Sequence, residues 1–264
     1  MISLNDVSVR RGKRYILKNI DFRLTPGKIT AIVGPNGSGK STLLKVMSNA
    51  IKADRGTATL DDKTLQAWPK KQLAQALAYL PQSSERPNGM TVEEVVGCGR
   101  FAHLTPWARL GTDDKAIIQQ AMADTEVLHH ANAKVDNLSG GEMQRVWLAT
   151  VLAQGSDLLL LDEPSSFLDL SHQLELMGLI HRLNRRHGKT IALVIHDLNQ
   201  AIQWCDEVVV MQQGEIQCAG DIQQLQDPAI LKSVFKLSAR FISLPGTNKP
   251  LLHADVLTSP EATE

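Results

Sequence analysis

The sequence has little cysteine, few aromatic residues, no net charge and no long apolar run, and each shortage excludes something. There are three cysteines, Cys98, Cys205 and Cys218, an odd number scattered without metal-ligand spacing. They read as reduced thiols of a protein kept in a reducing compartment, not as a disulfide framework. Lys plus Arg and Asp plus Glu are both 28, so the formal net charge is zero. That argues against bulk nucleic-acid binding, which rests on many phosphate contacts, while leaving room for a local basic patch. No apolar stretch approaches the roughly 18 residues of a membrane-spanning helix. The first residues, Met1-Ile-Ser-Leu-Asn-Asp6, lack the basic and apolar regions of a secretory signal. The 264 residues, 43% hydrophobic, suffice for one large α/β domain or two small ones.

What is present is organised around Gly34-Pro35-Asn36-Gly37-Ser38-Gly39-Lys40-Ser41-Thr42. The apolar β-branched run 28–33 precedes it and reads as a buried strand; Leu43-Leu-Lys-Val-Met47 begins a helix. Strand, glycine loop and helix make G-x-x-x-x-G-K-[ST] a phosphate site. The loop turns its backbone N–H groups inward, and the helix start adds unpaired donors and positive dipole. Lys40 supplies a point charge to the β- and γ-phosphates, and the Ser41 hydroxyl is a Mg²⁺ ligand.

Around this loop the chain alternates strands and helices, which predicts a mostly parallel sheet covered on both faces. Residues 2–9 and 16–24 form alternating strands joined by the basic turn Arg10-Arg11-Gly12-Lys13-Arg14, an antiparallel β layer beside the core. Residues 83–137 carry no strand pattern and read as a helical insertion. In it Thr91 and Glu94 make a capping box, and a helix from Thr112 or Asp113 to about Thr125 has Ile117, Ala121 and Val127-Leu128 on one face. His129-His130 reads as a solvated helix end, with no third metal ligand nearby. The rhythm returns with helix 139–153, strand 158–161, helix 174–186, strand 190–195, helix 198–205 and a hairpin across Gln212-Gln213-Gly214. We expect a domain over 1–240, its helical part about 83–155, and a tail over 241–264 whose polar end from Thr258 is frayed.

Strand 158–161 runs into Asp162-Glu163. Carboxylates at the end of a buried strand in such a sheet lie beside the phosphate loop. Asp162 is placed to hold Mg²⁺ through water, and Glu163 to orient an attacking water or take its proton. Leu138-Ser139-Gly140-Gly141-Glu142 opens a second helix and makes a second anion site. A monomer needs only one; a two-fold dimer sets each chain's second site against its partner's phosphate loop.

The phosphate loop, Gln82, Leu-Ser-Gly-Gly-Glu, Leu-Leu-Leu-Leu-Asp-Glu, Ser166-Phe-Leu-Asp169 and His196 together resemble the ordered motif set of ATP-binding cassette (ABC) ATPases over about residues 2–235. The resemblance implies a P-loop NTPase fold and a homodimer that binds and hydrolyses ATP. Lys40 and the loop amides would bind phosphates, and Ser41 and Gln82 would reach Mg²⁺. Ser139, Gly140 and Gly141 would contact the partner's γ-phosphate, Glu163 would act on water, His196 would sense the γ-phosphate, and Asp169 would lie at the dimer seam. One position departs from the family pattern. Where many members stack adenine on an aromatic, this sequence has Arg11, with Tyr15 four residues on; a guanidinium plane can also stack on a base.

Within the family, Thr91-Val-Glu-Glu-Val-Val-Gly-Cys-Gly-Arg100, Leu152-Ala-Gln154, Leu168-Asp-Leu-Ser-His-Gln173 and His196-Asp-Leu-Asn-Gln-Ala201 resemble importer ATPases for ferric siderophores. Haem and vitamin B12 importers are close relatives. The resemblance implies an ATPase subunit on the cytoplasmic face of a bacterial inner membrane. Its partners would be two integral membrane permease subunits and, indirectly, a periplasmic or surface substrate-binding protein, with no nucleic acid. A soluble ABC ATPase acting on ribosomes or DNA is the alternative from another class; such chains usually carry two cassettes or a long coiled coil. Segment 83–103, with Met90, Val92, Val95 and Val96, is the expected groove for a short helix of the membrane subunit.

Overall fold

The computed structural model describes residues 1–256 apart from Pro106, Phe167, Leu244, Pro245, Thr247 and Asn248. Phe167 of the expected motif and the expected frayed end from Thr258 lie outside the described residues. In chain order the elements are β1 (Ile2–Arg11), β2 (Arg14–Arg23), β3 (Ile29–Val33), α1 (Lys40–Met47), β4 (Arg55–Leu60), β5 (Lys63–Thr64), α2 (Lys70–Ala76) and β6 (Leu77–Leu80). Then come α3 (Val92–Gly97), α4 (Thr112–Asp124), α5 (Gly140–Ala153), β7 (Leu158–Asp162), α6 (Leu170–His187), β8 (Thr190–Val194) and α7 (Leu198–Trp204). Strands β9 (Glu207–Gln212), β10 (Glu215–Asp221), β11 (Leu237–Ile242) and β12 (Leu251–Val256) follow.

The central sheet has the order β10-β9-β3-β8-β7-β6, parallel except for β10 at one edge. Strands β3, β7 and β8 are buried at every position, and for that reason their sequences are continuous apolar runs. Alternation sends their side chains to two separate cores. Ile32, Leu160 and Val194 pack with Leu43, Leu44 and Met47 of α1 and with the second sheet, β2-β1-β4-β5. Ala31, Val33, Leu159, Leu161 and Leu193 pack against α5, α6 and α7. The expected antiparallel layer and doubly covered sheet are both present.

The helical unit differs from its sequence reading in one consequential way. Thr91 caps α3 with the expected box, its hydroxyl accepting from Glu94 N–H while Glu94 accepts from Thr91 N–H. Val92, Val95 and Val96 are fully buried, packed in one core with Ile118, Ala121 and Met122 of α4 and Val146 and Ala149 of α5. They form no open groove. The inward face of α4 is Ile118, not Ile117, and Leu128 points to solvent. Among the described residues the exposed aromatic side chains of this unit are Phe101 and Trp107.

Two boundaries also move. Helix α6 begins four residues before the expected Leu174, because Asp169 caps it by accepting from His172 N–H. The chain from 241 does not begin as a tail: β11 crosses that boundary and pairs with β12. This hairpin is fastened to α7, where the Asn199 side chain bonds both the N–H and the C=O of Leu252. Among the described residues no helix is long and apolar enough to cross a membrane.

Candidate active site

The phosphate loop leaves the buried end of β3 through two backbone positions that demand glycine. Gly34 has φ +150°, and a Cβ there would lie 2.2 Å from the Met211 carbonyl oxygen. Gly39, at φ +106°, would set a Cβ 2.9 Å from the Ile16 carbonyl oxygen. Gly39 is also the N-cap of α1 and offers no side-chain acceptor, and the first turn of α1 holds no acid. The helix's first N–H groups are therefore left for an anion. Lys40, only 5% exposed, curls back so that Nζ donates to the carbonyls of Gly34 (2.9 Å) and Pro35 (3.1 Å). Burial lowers its pKa, opposed by the nearby carboxylates of Glu163 and Asp162.

Strand β7 delivers both carboxylates. Asp162 is buried; its Oδ2 accepts from the Tyr79 hydroxyl at 3.3 Å, while its Oδ1 has no partner. Burial raises its pKa above the ordinary carboxylate value, with the Ser41 hydroxyl holding it down. The next residue, Glu163, has φ +51°, a left-handed conformation costly for a side-chain-bearing residue. That turn aims its carboxylate across the loop. Gln82 Nε2 donates to Glu163 Oε2 at 2.6 Å, and His196 Nε2 lies 2.7 Å from Oε1.

These groups converge on one cleft of about 870 Å³. Asn36, Gly37, Gly39, Lys40, Ser41 and Thr42 form its floor, and Gln82, Glu163 and His196 its far wall. Gly34 and Pro35 lie behind the lysine, and Ser38 is buried beneath with an unpartnered hydroxyl. The near wall holds two residues missing from the sequence expectation, Arg14 and Ile16. Arg11 pairs with Arg14 across the β1–β2 hairpin. The two-residue loop Gly12-Lys13 was the available signal, since it sets positions 11 and 14 opposite each other.

The second anion site stands apart from the cleft. Ser139 caps α5 in a reciprocal box with Glu142, whose other oxygen lies 3.0 Å from His130 Nε2. Ser139 and Gly140 are exposed. One chain therefore carries two separated anion-facing helix starts and does not join them.

For a metal, the cleft itself offers the Ser41 hydroxyl and the Gln82 amide oxygen, and the buried Asp162 carboxylate, with its unpartnered Oδ1, lies behind Ser41 and accepts from its hydroxyl. That set suits a hard cation such as Mg²⁺. Among the described residues no group of three or more His, Cys, Asp or Glu side chains could hold a metal by itself.

Residues 17–166 match the ABC transporter family. The chain belongs to that family. Similar proteins span it nearly end to end. The iron(3+)-hydroxamate import ATP-binding protein FhuC of Bacillus subtilis is 41% identical over 250 residues, 95% of this chain and 93% of that one. The hemin import ATP-binding protein HmuV of Shewanella denitrificans is 40% identical over 257 residues, 96% of this chain and all of that one. The ferric enterobactin transport ATP-binding protein FepC of Escherichia coli is 36% identical over 241 residues, 91% and 89% of the two chains. The dimeric ABC transporter cassette MJ0796 superposes with a TM-score of 0.73 at 28% identity, over 84% of this chain and 99% of that one. A metal-chelate type ABC transporter in an inward-facing conformation has the same fold, TM-score 0.83 at 23% identity, over 97% of each chain. This ABC protein is an ATP-binding, ATP-hydrolysing cassette.

Proposed function

We propose that this ABC ATPase drives import of an iron(III) chelate of the siderophore type, working as a homodimer beneath two membrane permease subunits at the cytoplasmic face of the inner membrane. A substrate-binding protein outside would deliver the chelate to the permease. The observation that carries the catalytic part is the convergence of Lys40, Gln82, Glu163 and His196 on one cleft. The cargo rests on the likeness to FhuC and FepC. A haem cargo is the second reading, favoured by the 40% identity to HmuV over the whole of that protein.

In this mechanism the loop amides and Lys40 hold the phosphates, and Glu163 orients a water and takes its proton. Ser41, Gln82 and Asp162 would hold Mg²⁺, which neutralises phosphate charge when bound. Gln82 and His196 must leave Glu163 before it can face the γ-phosphate. Ser139 and Gly140, exposed at the start of α5, and the half-buried Gly141 supply the donors that a partner's γ-phosphate meets, and Asp169 lies at the seam between the chains. The test is reconstitution with the permease pair in vesicles. Uptake of a ferric hydroxamate driven by ATP supports the first reading, uptake of haem alone the second, and neither would refute both.

A further inference from the structure

Glu163 and His196 both lie just past the end of the central sheet. Pairing of β7 with β8 stops at Asp162 and Val194, and beyond it the two chains separate into loops. After Glu163 the chain turns at once: the Ser166 N–H (3.1 Å) and hydroxyl (2.9 Å) both donate to the Glu163 carbonyl. His196 precedes Asp197, which caps α7 by accepting from the N–H groups of Asn199 and Gln200. At the front, the Glu163–His196 contact joins the two loops.

A pair of glutamines joins them at the back. Gln173, near the start of α6, donates from Nε2 to the Leu168 carbonyl at 2.9 Å. Its Oε1 accepts from Gln200 Nε2 of α7 at 3.0 Å. The circuit is closed: Glu163 and its turn, Leu168, Gln173, Gln200, Asp197, His196 and back to Glu163. Glu163, Ser166, Gln173, His196 and Gln200 also line a shared cavity of about 210 Å³.

Gln200 is only 4% exposed, and α7 buries Leu198, Ala201 and Ile202 beside it. A long polar side chain is uncommon at such a position, and an apolar one would fill it without a desolvation cost. Its orientation is forced as well. A carbonyl can only accept, so Gln173 gives Leu168 its NH₂ group and turns its oxygen to Gln200. Gln200 must answer with a donor, and its own Oε1 is left buried with no partner among the described residues. Stability alone does not favour a residue that orphans an acceptor. What Gln200 provides is the bridge.

We propose that Gln173 and Gln200 are positioning residues for ATP hydrolysis, their bridge holding the Glu163 turn and the His196 segment in register beyond the sheet. This rests on Glu163 and His196 acting as proposed above. The two side chains must part before Glu163 can face a γ-phosphate, which breaks the front contact. The bridge then keeps both backbones in place, so that only the side chains swing. Neither glutamine lines the ATP cleft, so nucleotide binding does not depend on them.

The full chain is assayed for ATP hydrolysis, with the melting temperature as the folding control. Glu163→Gln and His196→Ala are measured first; wild-type hydrolysis in both would overturn the reading of the cleft and this proposal with it. Gln173→Leu and Gln200→Leu are each expected to lower kcat by about tenfold or more, an ångström of misplacement being worth up to about a hundredfold. KM for ATP stays within about twofold of the wild type. Gln173 is half-buried, so its variants carry the test if Gln200→Leu melts early. Gln173→Glu still accepts from Gln200 but has no N–H for Leu168, and it behaves like Gln173→Leu. Gln173→Leu/Gln200→Leu loses no more than either single variant, and Gln200→Leu lowers kcat no further in a His196→Ala background. Wild-type kcat in both leucine variants, with Glu163→Gln inactive, would overturn the bridge and leave the reading of the cleft standing. So would full activity of Gln173→Glu, an additive loss in the His196→Ala background, or a loss carried by KM instead of kcat.

Discussion

Gln82 and Glu163 are joined by a 2.6 Å hydrogen bond although 81 residues separate them in the chain. With His196 on the other carboxylate oxygen, both acceptors of the Glu163 side chain are engaged within a single chain. Under the proposed mechanism this is a resting state: the group that would act on water is tied to the two groups that would report on the phosphate.

Glu163→Gln keeps the shape and an oxygen acceptor but cannot take a proton. Hydrolysis is expected to fall by about a hundredfold or more while ATP still binds. Sedimentation with ATP should show an accumulated dimer. A monomeric variant turning over at the wild-type rate would contradict the role given to Glu163.

Lys40→Ala removes the one cation on the loop floor. Titration with a fluorescent ATP analogue should show affinity lower by about tenfold or more, the scale of a charge-assisted bond to phosphate. The exposed surface is untouched, so the melting temperature serves as the control for folding.

Asp162 gives a pH-dependent prediction whose sign can be worked out. Its pKa is raised above the ordinary 3.8 by burial. Between 3.8 and that higher value the folded chain holds a proton that the unfolded chain has lost, so stability falls as pH rises through the window. Asp162→Asn carries no charge to desolvate. Its melting temperature is expected to exceed the wild type's at pH 8 and to converge with it near pH 4, while Mg²⁺-dependent hydrolysis is lost. A gap that widened toward acid would reverse the assignment.

Phe101 and Trp107 are exposed on the helical unit, Trp107 completely. Large apolar side chains in water mark a contact surface, and under the proposed function the permease is the partner that would cover them. Phe101→Glu and Trp107→Glu should leave ATP hydrolysis by the isolated protein intact and abolish transport in the assembled complex. Normal transport by both variants would move the docking surface elsewhere.

The phosphate loop was legible in the sequence because its chemistry is local: a buried strand, glycines and a helix start lie within about fifteen residues. So were the caps at Thr91 and Ser139, which depend on residues three apart. What escaped depended on partners distant in sequence. Val92, Val95 and Val96 looked uncovered because α4 and α5, which cover them, come later in the chain. Ile117 and Ile118 are neighbours, and only packing chose between them. The start of α6 was hidden because its first exposed turn, Leu170 to Gln173, has no apolar period. The link of Gln82 and His196 to Glu163 joins three loops, and no local pattern foretells it.

Helix α7, to which Asn199 ties Leu252, begins two residues after His196, and Gln203 further along it donates to the carbonyl of Pro250. Strands β11 and β12 are thus a splint on the helix that follows the histidine segment. A protein trimmed at residue 236 would keep every motif of the family and still shed the brace behind His196. Its loss would show first as faster amide exchange in α7, well before the cassette melts.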